Sequence, residues 1–180
     1  IGSELCRQIM KLSPTRLIVI DNSEANLYHI SEELGVASGE KDNTSDNRFT
    51  PFLLSVLDVS RVRKVMKDYS IDTVFHAAAY KHVPLMEMNV LQCISNNVFG
   101  TYNIAHESVA AEVSNFILVS TDKAVNPSNF MGASKWLAEI ICQQLTSQGL
   151  STSFSIVRFG NVLGSSGSVV PLFKKQIQNR

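Results

Sequence analysis

The chain has 180 residues, with 16 Lys and Arg balanced by 16 Asp and Glu, a length that suits one core needing no disulfide or metal staple. At 44% hydrophobic and 18% charged it is globular, which excludes intrinsic disorder, and zero net charge argues against nucleic acid or an anionic membrane as the main partner. No apolar run approaches the roughly 18 residues that span a bilayer, and Cys6, Cys93 and Cys142 match no metal-ligand spacing, so they read as free thiols of a reducing compartment.

Short β-rich runs alternate with longer helical patterns, which predicts βαβ units and a doubly wound parallel α/β sheet. Ser3 to Leu12 reads as a helix with Leu5, Ile9 and Leu12 on one face. The unbroken apolar run Leu17–Ile20 suits a strand buried on both faces. A helix follows over about Glu24–Leu34, then a polar loop, Ala37 to Thr50, with no expected chemistry. Phe52–Leu57 is strand-like, and Ser60 is positioned to cap a helix reaching Tyr69. Thr73–Phe75 is the next strand, Val90–Glu112 a long helix, and Phe116–Val119 another buried strand. A helix over Met131–Gln148, a strand at Phe154–Val157 and a helix after Pro171 complete the order. Ile1 in place of Met, and a basic helix-like end, are expected of a piece of a longer protein; nothing resembles a signal peptide.

Sheets of this kind bind ligands beyond the C-terminal strand ends, so those residues carry the functional reading. Asp21, some 19 residues beyond Gly2 and followed by Asn22, sits where an acidic group accepts hydrogen bonds from an adenosine ribose. With no adjacent Arg or Lys to hold a 2′-phosphate, it favours NAD over NADP. Ile1-Gly2-Ser3 matches only the tail of a Gly-rich phosphate loop, opening a helix N-terminus suited to pyrophosphate. Asp58-Val59 fits either an adenine contact or a helix N-terminal acid. Ala77, Ala78 and Ala79 would let a flat ligand lie against the backbone, though close helix packing explains them equally, and His76 reads as a packed strand-end histidine. The densest feature is Ser120–Lys135, where Thr121, Asp122 and Lys123 leave a buried strand together. An Asp beside a Lys at the ligand edge can tune both groups.

Three strings carry a family resemblance: Phe75–Glu87 (FHAAAYKHVPLME), Ser120–Lys135, and Arg158–Pro171 (RFGNVLGSSGSVVP). The chain resembles extended short-chain dehydrogenase/reductase enzymes acting on nucleotide sugars, most closely the CapD-like polysaccharide-biosynthesis branch of UDP-N-acetylglucosamine 4,6-dehydratases. The resemblance implies a Rossmann domain over residues 1–180, cut inside its phosphate loop and before most of its substrate lobe. It also implies tightly held NAD(P), with NAD favoured, and a redox-neutral dehydration of UDP-GlcNAc to a UDP-4-keto-6-deoxy sugar for surface glycan synthesis. Hydride leaves C4, the C5 proton is removed, water departs from C6, and hydride returns to C6. In that scheme Lys123 is the C5 base, Asp122 the acid toward the C6 oxygen and Thr121 the partner of the C4 oxygen. Lys135 bonds the nicotinamide ribose and supplies a cation near Lys123. Lys81 lines the pocket, while Asn161 and Ser165–Pro171, with Ser168, Val169, Val170 and Pro171 foremost, face the sugar and uridine diphosphate. No metal is implied.

One position departs from the superfamily: the usual Tyr-x-x-x-Lys reads Met131-Gly-Ala-Ser-Lys135, and a thioether exchanges no proton. A relay from Thr121 to Asp122, or a water, is expected to take over at C4. An epimerase of the same fold and a non-catalytic dinucleotide-binding regulatory domain are the competing readings. Relatives pair through the helices matching Val90–Glu112 and Met131–Gln148, so a homo-oligomer is expected. A cytoplasmic location is also expected, with membrane attachment only through a longer parent chain.

Overall fold

The computed structural model describes residues 1–34, 48–162, 173 and 176–178. Ser168, Val169, Val170 and Pro171, and most of the expected Ala37–Thr50 loop, lie outside the described residues, as does part of the segment after Pro171.

In chain order the elements are α1 (Gly2–Lys11), β1 (Leu17–Asp21), α2 (Glu24–Glu33), β2 (Phe49–Leu53), α3 (Val59–Tyr69) and β3 (Thr73–His76). There follow α4 (Val83–Glu87), α5 (Val90–Ile94), a π turn (Ser95–Phe99), α6 (Gly100–Ala110), β4 (Asn115–Thr121), a 3-10 turn (Asp122–Ala124), α7 (Phe130–Ser147) and β5 (Ser153–Phe159). Every pairing is parallel: β1 with β2, and β3 with β4 with β5. The sequence repeats the βαβ unit, and parallel strands require such crossovers.

Strand alternation distributes the core over two faces. Leu17 and Val19 of β1 pack with Cys6, Ile30 and Phe49, under α1 and α2. Ile18 and Ile20 face the larger cluster, where Val62, Met66, Ile104, Ala105, Ala138 and Cys142 of α3, α6 and α7 meet Phe116 and Leu118 of β4. Helices on both faces make the architecture doubly wound, as the alternating pattern predicts. The larger cluster also joins the two strand groups, since it collects Phe52 from β2 and Val74, Phe154 and Ile156 from β3 and β5.

Several local expectations are corrected. The second strand begins at Phe49, three residues before the expected start, because Phe49 is the residue in register with Leu17. Pro51 is accepted since β2 has a partner on one side only among the described residues. Leu54 and Val56, which read as strand, are instead buried in the following turn. Asp58, not Ser60, caps α3: its carboxylate accepts from the Arg61 amide at 3.1 Å and from the Ser60 hydroxyl at 2.8 Å. Leu12 lies past the end of α1 and is 82% exposed, so it does not share the buried face.

The long helix over 90–112 is interrupted by the π turn, which carries two buried asparagines into the interior. Just after it, the Thr101 hydroxyl donates to the Asn97 carbonyl at 2.7 Å. That hydroxyl proton being spent, Thr101 accepts from His76 Nε2 at 3.0 Å, which assigns the ring tautomer.

His76 is buried at the end of β3, and burial first, then the positive charge of Lys135, pushes its pKa down to about 3 from the ordinary 6.5. The folded state therefore holds it neutral while the unfolded chain protonates it, so stability falls as pH drops from about 6.5 toward 3. At pH 4.5 the linked loss is on the order of 2 kcal/mol. Denaturant melts at pH 7 and pH 4.5 should show His76→Gln, which keeps a donor to Thr101, losing less stability between the two pH values than the wild type.

Candidate active site

Pairing is parallel within each strand group, so the C-terminal ends of β1 and β2 lie together, as do those of β3, β4 and β5, and each sequence-predicted residue can be placed along them. At the end of β1, half-buried Asp21 accepts from the Ser23 amide at 2.7 Å, which shapes the turn into α2; Asn22 beside it is exposed. Gly2 opens α1, whose N-terminus has no side-chain cap, and a Cβ on Gly2 would meet nothing within 4 Å. Ser3 is exposed in the same first turn. Asp58 is engaged as a helix cap, with Val59 the first residue of α3. Ala77, Ala78 and Ala79 form an irregular, half-buried segment after β3. These features fit a dinucleotide: open space at a helix N-terminus, a carboxylate at the end of β1, and a small-residue segment at the end of β3.

That segment is held by a residue sequence reading did not single out. The Asn97 side-chain amide accepts from the Tyr80 amide at 2.8 Å and donates to the Tyr80 carbonyl at 3.0 Å, as a neighbouring strand would. It also donates to Ser134 of α7 at 3.0 Å, and Asn96 donates to the Ala78 carbonyl at 3.3 Å. The adjacent amides Asn96 and Asn97 within the helical stretch were the available signal, because buried amides need partners. Lys81 lies just beyond, exposed, on a cavity of about 240 Å³ with Ala79, Tyr80, His82, Leu85 and Met86.

The main cluster forms where β4 ends. Thr121 donates to Asp122 Oδ1 at 2.9 Å, and Lys123 Nζ donates to the same oxygen at 3.1 Å. Lys123 Nζ also reaches Asn161 Oδ1 at 3.5 Å, so Asn161 joins the trio from the end of β5. The bonds from Lys123 and then Thr121 hold the Asp122 carboxyl below the usual range, leaving it an acceptor in this arrangement. The 3-10 turn fixes the spacing, with Thr121 accepting from the Lys123 amide at 3.3 Å.

Helix α7 presses on this turn. Asn129 caps it by accepting from the Gly132 amide at 2.8 Å. A Cβ at Gly132 would fall inside contact distance of the Lys123 carbonyl oxygen. Met131 is buried at 3% exposure against Met86 and Cys93, so its side chain packs rather than meets solvent. Lys135, one turn on, is 4% exposed and donates to the Val119 carbonyl at 2.8 Å. Burial pushes its pKa down to about 8, opposed by nearby Cys142 and Glu139. The structure thus unites Thr121, Asp122, Lys123 and Asn161 by direct bonds and ties Lys135 to the Val119 carbonyl of β4, two residues before Thr121.

Gly132→Ala should displace the Lys123 backbone, since that contact is with a carbonyl and not a flexible side chain. Turnover is expected to fall at least about tenfold with a destabilisation of roughly 1–3 kcal/mol, as for overpacking elsewhere. Steady-state kinetics and a thermal melt on the full-length protein check both.

The whole chain, residues 1–180, matches the family described as polysaccharide biosynthesis protein. It is 48% identical to the capsular polysaccharide biosynthesis protein CapD of Staphylococcus aureus over 99% of this chain and 29% of that protein. It is 36% identical to the UDP-N-acetylglucosamine 4,6-dehydratase (inverting) of Campylobacter jejuni subsp. jejuni strain 81-176, over 91% of this chain and 46% of that one. Among solved structures, Pen from Bacillus thuringiensis superposes with a TM-score of 0.87 at 31% identity, over 98% of this chain and 55% of that chain. UDP-glucose 4-epimerase of Rickettsia felis matches at 43% identity over 61% of this chain and 32% of that enzyme. The chain therefore spans between about a third and a little over half the length of the proteins it resembles.

Proposed function

The chain belongs to the polysaccharide biosynthesis protein family, and from that premise we propose that it carries the dinucleotide-binding and proton-transfer half of a UDP-N-acetylglucosamine 4,6-dehydratase. The single observation behind this reading is the Thr121–Asp122–Lys123 cluster, in which a hydroxyl and an ammonium converge on one carboxylate oxygen. A reductase needs one proton carrier; a dehydration needs several in sequence, and this turn provides them.

Gly2, Ser3, Asp21, Asn22, Asp58, Val59, the Ala77–Ala79 segment and Lys135 would hold NAD, which when bound would supply the hydride acceptor and donor. Thr121 bonds the C4 oxygen and passes its proton to Asp122, to which it already donates. Lys123 takes the C5 proton that the C4 ketone has acidified. Asp122, now protonated, gives the C4-derived proton to the departing C6 oxygen, so that water leaves, and Lys123 returns a proton to C5. Met131 takes no part in proton transfer; its buried thioether shapes the wall beneath. Lys81 and Asn161 contact the sugar nucleotide, with Ser168, Val169, Val170 and Pro171 in the same role. We assign the domain to the cytoplasm. No described helix is long and apolar enough to cross a membrane. Exposed Tyr102 on α6 and Trp136, Leu137 and Ile140 on α7 offer apolar surface for the expected homo-oligomer.

An epimerase is the second reading, favoured by the similarity to the Rickettsia felis enzyme. Incubating the full-length protein with UDP-GlcNAc in heavy water separates the two by NMR. A dehydratase gives a 4-keto-6-deoxy product with deuterium at C5; an epimerised sugar with no loss of water overturns the proposal. Binding of NAD and the sugar nucleotide without turnover or C5 exchange would instead mark a regulatory domain. Thr121→Val should slow C4 oxidation about tenfold or more while sparing C5 exchange from a supplied 4-keto sugar. An equal fall in both would exclude the Thr121 relay.

A further inference from the structure

Behind the reaction turn lies a buried acid for which the proton-transfer scheme has no use. Glu139 of α7 is 1% exposed. Its Oε1 accepts from Ser120 at 2.5 Å and from Arg158 Nε at 2.9 Å, and its Oε2 accepts from the other arm of Arg158 at 2.5 Å. Ser120 and Arg158 are register partners on β4 and β5. Ser120 lies between Val119, whose carbonyl holds Lys135, and Thr121, where the reaction turn begins. A carboxylate buried here would be costly without partners. Burial works to raise its pKa, yet the bonds from Arg158 and Ser120 outweigh it and hold the group ionised.

We propose that Glu139 is a positioning residue that clamps α7 to the ends of β4 and β5, and so sets Lys135 and the Thr121–Lys123 turn in one frame. This rests on the reading of those residues as the reaction centre. The clamp acts in two ways. Geometrically, three bonds from one carboxylate fix the helix against two strands, within one residue of the turn on β4. Electrostatically, Glu139 sits one helical turn after Lys135 and offsets the cost of burying that ammonium. The other titratable groups facing Lys135 are Cys142 on the same helix and His76 at the end of β3, with Arg158 of β5 acting through Glu139. A neutral residue at 139 removes the counter-charge and leaves Arg158 uncompensated, and both changes disfavour the protonated form of Lys135.

The test is a pH titration of Lys135 by NMR in full-length protein labelled with ¹³Cε-lysine, the signal assigned with Lys135→Met. In Glu139→Gln the titration should move down by about one pH unit from the wild-type position near 8. The alkaline limb of the NAD-binding profile should move with it, and kcat should fall about tenfold with little change in KM. Ser120→Ala removes one bond and keeps both charges, so it should lower kcat without moving either titration; this variant decides the matter if Glu139→Gln does not fold. A Lys135 titration unmoved in Glu139→Gln, or wild-type kcat in Ser120→Ala, overturns the proposal. The Lys135 titration reads the clamp even in a protein that turns over no nucleotide sugar, so failure of the functional reading and failure of the clamp are told apart.

Discussion

The C-terminal edge of this sheet depends on how α7 is fastened to β4. Two adjacent residues of the strand are held: the Val119 carbonyl by Lys135 and the Ser120 hydroxyl by Glu139, with Arg158 of β5 drawn into the same bond set. Both helical groups are almost fully buried and charged, and they lie one turn apart. In a low-dielectric interior such groups are tolerated only with their hydrogen bonds made, and those bonds are directional. The seam therefore prescribes where the strand must end. The next three residues are Thr121, Asp122 and Lys123.

Other contacts close around that seam. Gly132 lets the first turn of α7 lie directly on the Lys123 carbonyl. Ser134, also on α7, accepts from Asn97, which grips the backbone of Tyr80 from the π turn. The floor after β3 and the turn after β4 are thus both referred to one helix. Parallel strands bring the loops to one edge; polar bonds between buried side chains decide how those loops sit relative to each other. Asp122 is the exposed outcome of this scaffold, a carboxylate with one oxygen held by both a hydroxyl and an ammonium.

Much of this was legible in the residues. The unbroken apolar runs at Leu17–Ile20 and Phe116–Val119 announced strands, and strands stand there, but burial is fuller on one face than expected: Phe116 and Leu118 are buried while Ile117 and Val119, like all of Leu17–Ile20, are half-buried among the described residues. The Thr121–Asp122–Lys123 cluster was readable because three polar groups at a buried strand end have no packing role. The second strand was misplaced because apolar character cannot separate a strand from a buried turn: Leu54 and Val56 are core residues without a ladder. Register, which placed Phe49 against Leu17, is a property of two segments together. The π turn escaped notice because its signal is the hydrogen-bond need of Asn96 and Asn97, not periodicity. Glu139 escaped notice because an acid four residues after a lysine reads as an ordinary surface pair on a helix, and only the packing of α7 reveals that this face points inward.

The central claim is that the chemistry sits at the end of β4, on the turn that α7 holds in place. A crystal structure of the full-length protein with NAD and UDP-GlcNAc tests it most directly. The account predicts the sugar C4 hydroxyl at Thr121, C5 facing the Lys123 amine and the C6 oxygen at Asp122, with Lys135 still buried against β4. A sugar ring bound away from this turn, with Asp122 and Lys123 facing solvent, would contradict it.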